Sequence, residues 1–114
     1  MTATPERLVV MLYDGAIRFL HQAAAAMRAN DPVRARDRLR RAEAIVDELN
    51  YTLDFEQGGE VAERLRGIYL FSKRHLLESN LRRDPDGVDQ VAKLLGELRE
   101  SWDHIAIETL RKSA

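Results

Sequence analysis

Histidine, aspartate and glutamate are the side chains of this sequence best suited to hold a metal ion or to move a proton. The three histidines, His21, His75 and His104, are far apart along the chain. A di-iron helical bundle needs a Glu-x-x-His motif on two helices, whereas Glu100 precedes His104 at the wrong spacing and has no second copy. The leucines that follow His75 are also atypical of a phosphotransfer histidine. The sequence therefore predicts no metal site.

Other arrangements typical of enzymes are incomplete. Asp54 and Glu56 offer acid and base groups, but no nucleophile or oxyanion donor lies nearby in the sequence. Gly58-Gly59 lacks the Lys-Ser/Thr pair that completes a phosphate-binding loop. The chain has no cysteine, which removes thiol nucleophiles and thiolate ligands. We expect neither catalysis nor a cofactor.

The segment RARDRLRR, residues 34–41, contains five arginines and resembles a nucleic-acid contact. However, Asp37, Glu43 and Asp47 lie at helical spacings that compensate this charge. The whole chain has 18 basic and 19 acidic side chains, so it has no excess of positive charge to attract nucleic acid. We interpret the segment as an exposed helical face, with an acidic protein surface as the alternative partner. Nucleic acid is not predicted as a ligand.

With 114 residues, the chain is long enough for one hydrophobic core, and we expect a single domain over residues 1–114. The apolar run LVVMLY, residues 8–13, is much shorter than the roughly 20 residues of a membrane span. It also lacks the basic leader and cleavage site of a signal peptide. The absence of cysteine fits a reducing compartment. These features predict a soluble cytoplasmic protein without membrane insertion.

Prolines and glycines divide the sequence into helices. Thr4-Pro5, Asp31-Pro32 and Asp84-Pro85 each place a capping side chain before a proline, and Gly58-Gly59 predicts a further break. We therefore expect four helices over about residues 5–29, 32–54, 59–82 and 86–111. Short connections make neighbouring helices antiparallel. The predicted fold is all-α, an antiparallel four-helix bundle built from two helical hairpins.

The apolar residues of the four helices are distributed differently. The second helix and the fourth, up to Ile105, each have one apolar stripe of ordinary width. In the first helix the apolar residues cover an arc of roughly 200°. In the third helix a core stripe that includes Val61 lies opposite a second apolar line of three leucines: Leu70, Leu77 and Leu81.

This extra apolar surface has three explanations at the level of sequence. Neighbouring helices cover it, a second copy of the chain covers it, or it forms a groove for a segment of a partner protein. Gly15, inside the first helix, fits each of them, because a missing side chain permits close approach of another backbone. Periodicity alone does not choose among the three.

Several blocks of the sequence are more specific than these patterns: LYDGAIRFL at 12–20, LNYTLDFEQGGEVAERL at 49–65, LRRDP at 81–85, and LLGELRESW at 94–102. In this order they resemble the family of the flagellin-specific export chaperone FliS. The resemblance implies a cytoplasmic bacterial four-helix bundle without catalytic activity. It also implies a client, the C-terminal segment of flagellin, which is kept from polymerising before type III export.

Under this hypothesis the extra apolar surfaces of the first and third helices form the client groove. The expected contact residues are Val10, Tyr13, Ile17, Leu70, Leu77 and Leu81. The Tyr13 hydroxyl is also expected to hydrogen-bond to the client backbone. The alternative function is a homodimeric structural or regulatory bundle that uses the same surface for self-association.

The start of the sequence differs from the family pattern. Family members carry an additional N-terminal segment with aromatic residues, which covers part of the client surface, whereas this chain opens at MTATPERL. An uncovered groove predicts dimerisation or exchange of a helix between copies. An export-gate component, a co-chaperone and an anti-sigma factor are further partners that the resemblance leaves open.

Overall fold

The computed structural model describes the backbone of residues 3–113 and the side chains of residues 3–103. These residues form four helices and no strand: α1, Pro5–Arg28; α2, Pro32–Tyr51; α3, Phe55–Arg82; and α4, Pro85–Ser113. The predicted helical bundle is confirmed. Within this part of the chain, no helix has the length and apolar character needed to cross a membrane. The side chain of Ile105, a predicted core position, lies outside the described residues.

The helix boundaries follow from local capping. The Thr4 hydroxyl accepts a hydrogen bond of 3.2 Å from the Arg7 amide, and the Asp31 carboxylate accepts one of 3.1 Å from the Arg34 amide. Each cap satisfies an amide that the helix itself leaves without a partner. Asn30 and Arg83, which stand at corresponding points after α1 and α3, have left-handed backbone conformations. The capping predictions at Thr4-Pro5 and Asp31-Pro32 are confirmed.

The predicted start of the third helix at residue 59 is wrong by four residues. α2 ends at Tyr51, and the Asp54 carboxylate accepts hydrogen bonds from the amides of Glu56 and Gln57, both 3.1 Å long. This cap starts α3 before the glycine pair. Gly59 instead introduces a kink within α3, with φ 49° and ψ −122°. Glycine adopts this conformation without the steric cost of a side chain.

α1 packs along both α2 and α4, whereas α3 packs against the same two helices more loosely. This packing covers most of the wide apolar arc of α1, whereas Leu8, near the start of the helix, remains 49% exposed. At Gly15, an added Cβ atom would lie 3.2 Å from Cδ1 of Ile45 in α2. This glycine allows the close approach of α1 and α2, which is the first of the three explanations considered above.

Charged residues of α1, seven and fourteen positions apart, join it to α4. Arg7 contacts Asp103 at 2.7 Å, Asp14 contacts Arg99 at 2.8 Å, and Arg28 contacts Asp89 at 2.7 Å. Partly exposed ion pairs of this kind add little stability. Because they extend along the length of the contact, they favour one antiparallel register of the two helices.

A buried hydrogen bond links α1 to α3 across the bundle. The hydroxyl groups of Tyr13 and Tyr69 lie 2.5 Å apart, and both side chains are buried. Burial raises the pKa of the Tyr13 phenol, and its hydrogen bond to Tyr69 opposes part of this effect. Burial and the hydrogen bond to Tyr13 both raise the pKa of Tyr69. The folded bundle therefore holds both phenols in their neutral form.

This pair predicts a loss of stability at alkaline pH. The unfolded chain releases the two phenolic protons near pH 10.0, whereas the folded chain retains them. The stabilisation is therefore complete below that pH and is lost above it. In urea unfolding at about pH 8 and about pH 11, we expect a steeper fall in stability for the natural protein than for the double variant Tyr13→Phe/Tyr69→Phe. Tyr51→Phe, at an exposed tyrosine, is the control, and parallel declines in all three proteins would contradict the prediction.

Candidate protein-binding surface

The structure places Val10 and Tyr13 in the core, each with 0% of its surface exposed. The exposure predicted for these two residues is therefore wrong. Helical periodicity places Val10 and Tyr13 near one edge of the wide apolar arc of α1, but it does not show that α2 and α4 both pack along this helix. The Tyr13 hydroxyl is hydrogen-bonded to Tyr69, so it does not face a partner's backbone. Ile17 is half-buried and packs against the same core.

The three leucines predicted on α3 are exposed. Leu70, Leu77 and Leu81 expose 46%, 55% and 75% of their surface. Their spacing of seven and four residues aligns them on the side of α3 opposite the buried Leu65 and Leu76. We call Leu70, Leu77 and Leu81 the leucine stripe. It is an apolar line along a helix that other parts of the described chain leave accessible.

A groove lies between the start of α1, the end of α2 and the start of α3. It encloses about 710 Å³, within the range of about 300–1,000 Å³ found for ligand pockets. We call it the terminal groove. Its large apolar lining residues are Leu8, Val9, Leu12, Leu49, Leu53, Val61, Leu65, Tyr69 and Trp102.

The prediction that Val61 belongs to the core is wrong, because Val61 is 63% exposed on the wall of the terminal groove. Val61 follows the kink at Gly59. The first turn of α3 and the rest of the helix, which includes Val61, therefore have different axes. The sequence reasoning missed this groove. The signal for it was the glycine pair next to apolar residues, which we interpreted as a connection between helices.

Two of the three histidines considered as candidate metal ligands contact other side chains of the bundle. His21 lies 3.6 Å from Asp89, and His75 Nε2 lies 3.0 Å from the side-chain oxygen of Gln90. The side chain of His104 lies outside the described residues. In the part of the chain described by the structure, no three histidine, aspartate or glutamate side chains converge as a metal site requires.

The arginine-rich segment is an exposed face of α2, as predicted. Arg41 contacts Asp37 at 3.1 Å, and the Arg38 guanidinium contacts the same carboxylate at 3.5 Å. The guanidinium of Arg41 also lies 5.9 Å from the centre of the Phe19 ring, as does that of Arg18. Arg41 therefore contributes to packing between α2 and α1 through its cation–π contact with Phe19.

Comparison with known proteins is consistent with a protein-binding role. Residues 1–109 match the family described as flagellar protein FliS. The flagellar secretion chaperone FliS of Salmonella typhimurium is 37% identical over 107 residues, which cover 93% of this chain and 79% of the relative. The FliS proteins of Vibrio cholerae and Bacillus subtilis are 36% and 32% identical, over 93% and 97% of this chain and 78% and 81% of their own lengths.

The family match extends through α1, α2, α3 and most of α4, so it includes both the leucine stripe and the terminal groove. The relatives are named as chaperones. Their similarity to this chain extends over most of its length and agrees with the blocks noted in the sequence. The chain belongs to the FliS family of flagellar secretion chaperones.

Proposed function

We propose that this protein is a cytoplasmic export chaperone that binds the C-terminal segment of flagellin, and that it acts by binding and not by catalysis. The observation that carries the proposal is the leucine stripe, because Leu70, Leu77 and Leu81 remain exposed together on the side of α3 opposite its buried core residues. Binding would keep the client segment from polymerising before type III export.

The energetics of such binding follow from the properties of the two partners. Large apolar side chains gain about 25 cal/mol for each Å² of apolar surface removed from water. A client segment that is disordered before binding loses conformational entropy when it becomes ordered, which limits its affinity. A chaperone must release its client at the export apparatus, and moderate affinity suits that role. Val10 and Tyr13 are not part of the proposed contact, because both are buried.

The test is a calorimetric titration of the chain with a peptide spanning the C-terminal segment of flagellin from the same bacterium. We expect saturable one-to-one binding with a negative heat-capacity change, the mark of apolar burial. Leu77→Glu/Leu81→Glu should weaken binding at least about tenfold, because it places two charges where apolar contacts form. Both leucines are exposed, so this variant should keep its helical content.

Met11→Glu is the matched control, because Met11 is 56% exposed and lies on α1, whereas the leucine stripe lies on α3. It should bind as the natural chain does. Light scattering separates the alternative function: a homodimer that does not change on addition of the peptide would support a self-associating bundle. Absence of peptide binding by the folded chain, or binding unaffected by the stripe variant, would contradict the proposal.

A further inference from the structure

The terminal groove differs from the leucine stripe in charge as well as in shape. Three charged residues are among those that line it, Glu6, Glu48 and Asp54, and all three are acidic. The next turns of α3 add Glu56 and Glu60, both exposed. An apolar groove with a negative rim has an electrostatic preference that the uncharged leucine side chains lack.

Among the acidic residues of this rim, Glu6 has the side chain whose hydrogen bonding is least complete. Its Oε2 atom is buried and, among the described residues, has no hydrogen-bond partner. A carboxylate oxygen removed from water without a donor is unfavourable. A cationic side chain placed next to this carboxylate would supply a charged hydrogen-bond donor, which Oε2 lacks among the described residues.

The apolar wall next to this carboxylate is accessible. Leu8 of α1 is 49% exposed, Val61 of α3 is 63% exposed, and both line the groove. The kink at Gly59 lies between Gly58 and Val61, which both line the groove, so the α3 wall of the groove is bent. A volume of about 710 Å³ accommodates several side chains of a peptide.

We infer that the terminal groove binds a peptide segment in which large apolar side chains stand next to a lysine or arginine, whose cation pairs with Glu6. Charge complementarity selects this occupant, because the lining contributed by the described residues includes acidic side chains and no basic ones. The inference goes beyond the proposed function. It specifies the side chains of the peptide segment that the groove binds, and it does not specify the protein that contains this segment.

The test uses two synthetic amphipathic peptides with identical leucine positions, one with lysine and one with glutamate at its polar positions. Trp102, the single tryptophan of the chain, lines the groove and reports binding through its fluorescence. We expect the lysine peptide to bind at least about tenfold more tightly than the glutamate peptide, with an affinity that falls as salt is added.

Single-residue variants test whether the peptide contacts the terminal groove. Glu6→Gln, which keeps the size of the side chain, should weaken binding of the lysine peptide about fivefold and reduce its salt dependence. Val61→Lys places a cation on the exposed wall of the groove and should also weaken it, without disturbing a buried position. Glu97→Gln, at an exposed glutamate of α4 outside the groove lining, is the matched control and should change the affinity less than about twofold.

Three results would overturn the inference: equal affinity for the two peptides, binding that Glu6→Gln leaves unchanged, or a dimer of the free chain that Val61→Lys dissociates. The last would identify a second copy as the occupant. A parallel titration with the flagellin segment keeps the two proposals apart. Flagellin binding without lysine selectivity would overturn only the groove inference, whereas lysine-selective binding without flagellin binding would overturn only the proposed client.

Discussion

Replacing Leu76 by alanine is expected to destabilise the protein by about 2–5 kcal/mol, the range for a leucine deleted from a packed core. Leu76 is 0% exposed and belongs to the central apolar cluster of the bundle. Its neighbour Leu77 is 55% exposed in the leucine stripe. Leu77→Ala should therefore change stability by no more than about 0.5 kcal/mol. Urea unfolding followed by the helical circular-dichroism signal measures both values.

This pair of variants separates folding from binding at adjacent positions. Leu77→Ala should weaken flagellin binding without a loss of stability, whereas Leu76→Ala should lower stability without removing an accessible contact. Equal losses of stability in the two variants would mean that the leucine stripe is covered within the folded protein. In that case it would be unavailable to a client.

Gly87→Ala is expected to destabilise the protein by about 1–3 kcal/mol, as overpacking of a close contact does. An added Cβ atom would collide with the Ser79 hydroxyl and lie 3.1 Å from both Ser79 Cβ and Asp84 Oδ2. The Ser79 hydroxyl cannot move away without cost, because it donates a 2.7 Å hydrogen bond to the His75 carbonyl. The collision should therefore outweigh the gain in helix propensity of about 1 kcal/mol.

A second glycine, Gly67, provides a control for which the expected change in stability has the opposite sign. An alanine at Gly67 would have no atom within 4 Å of its Cβ, so Gly67→Ala should stabilise α3 by about 0.5–1 kcal/mol. Adding Ser79→Ala to Gly87→Ala should restore part of the lost stability, because it removes the colliding oxygen. Thermal unfolding of the four proteins tests this, and a neutral Gly87→Ala variant would show that α3 and α4 are not held in close contact at this point.

The helices and the fold class were predictable from the sequence because they depend on interactions between near neighbours. A cap such as Asp31 acts on an amide three residues away, and proline acts on its own backbone. The same locality explains the error at α3. Both Asp54 and the glycine pair are local signals for a helix boundary. The Asp54 cap starts α3, and Gly59 forms a kink within that helix.

The candidate surface was predictable only in part. The leucine stripe on α3 lies opposite the buried face of a helix with one well-defined core side, so its exposure followed from helical periodicity. The same reasoning gave the wrong exposure for Val10 and Tyr13, because α1 is covered by two helices. Periodicity gives the angle of a side chain around its own helix axis. It contains no information about where the neighbouring helices lie.

By itself, then, the sequence determined the four helices, most of their boundaries, the leucine stripe and the resemblance to the FliS family, all of which depend on residue order and local spacing. The tertiary structure alone decided the burial of Tyr13 against Tyr69 and the existence of the terminal groove. The groove brings together Glu6 from α1, Leu53 from the connection between α2 and α3, and Val61 from α3. Contacts between residues so distant in the sequence are set by how helices pack, and no local pattern encodes them.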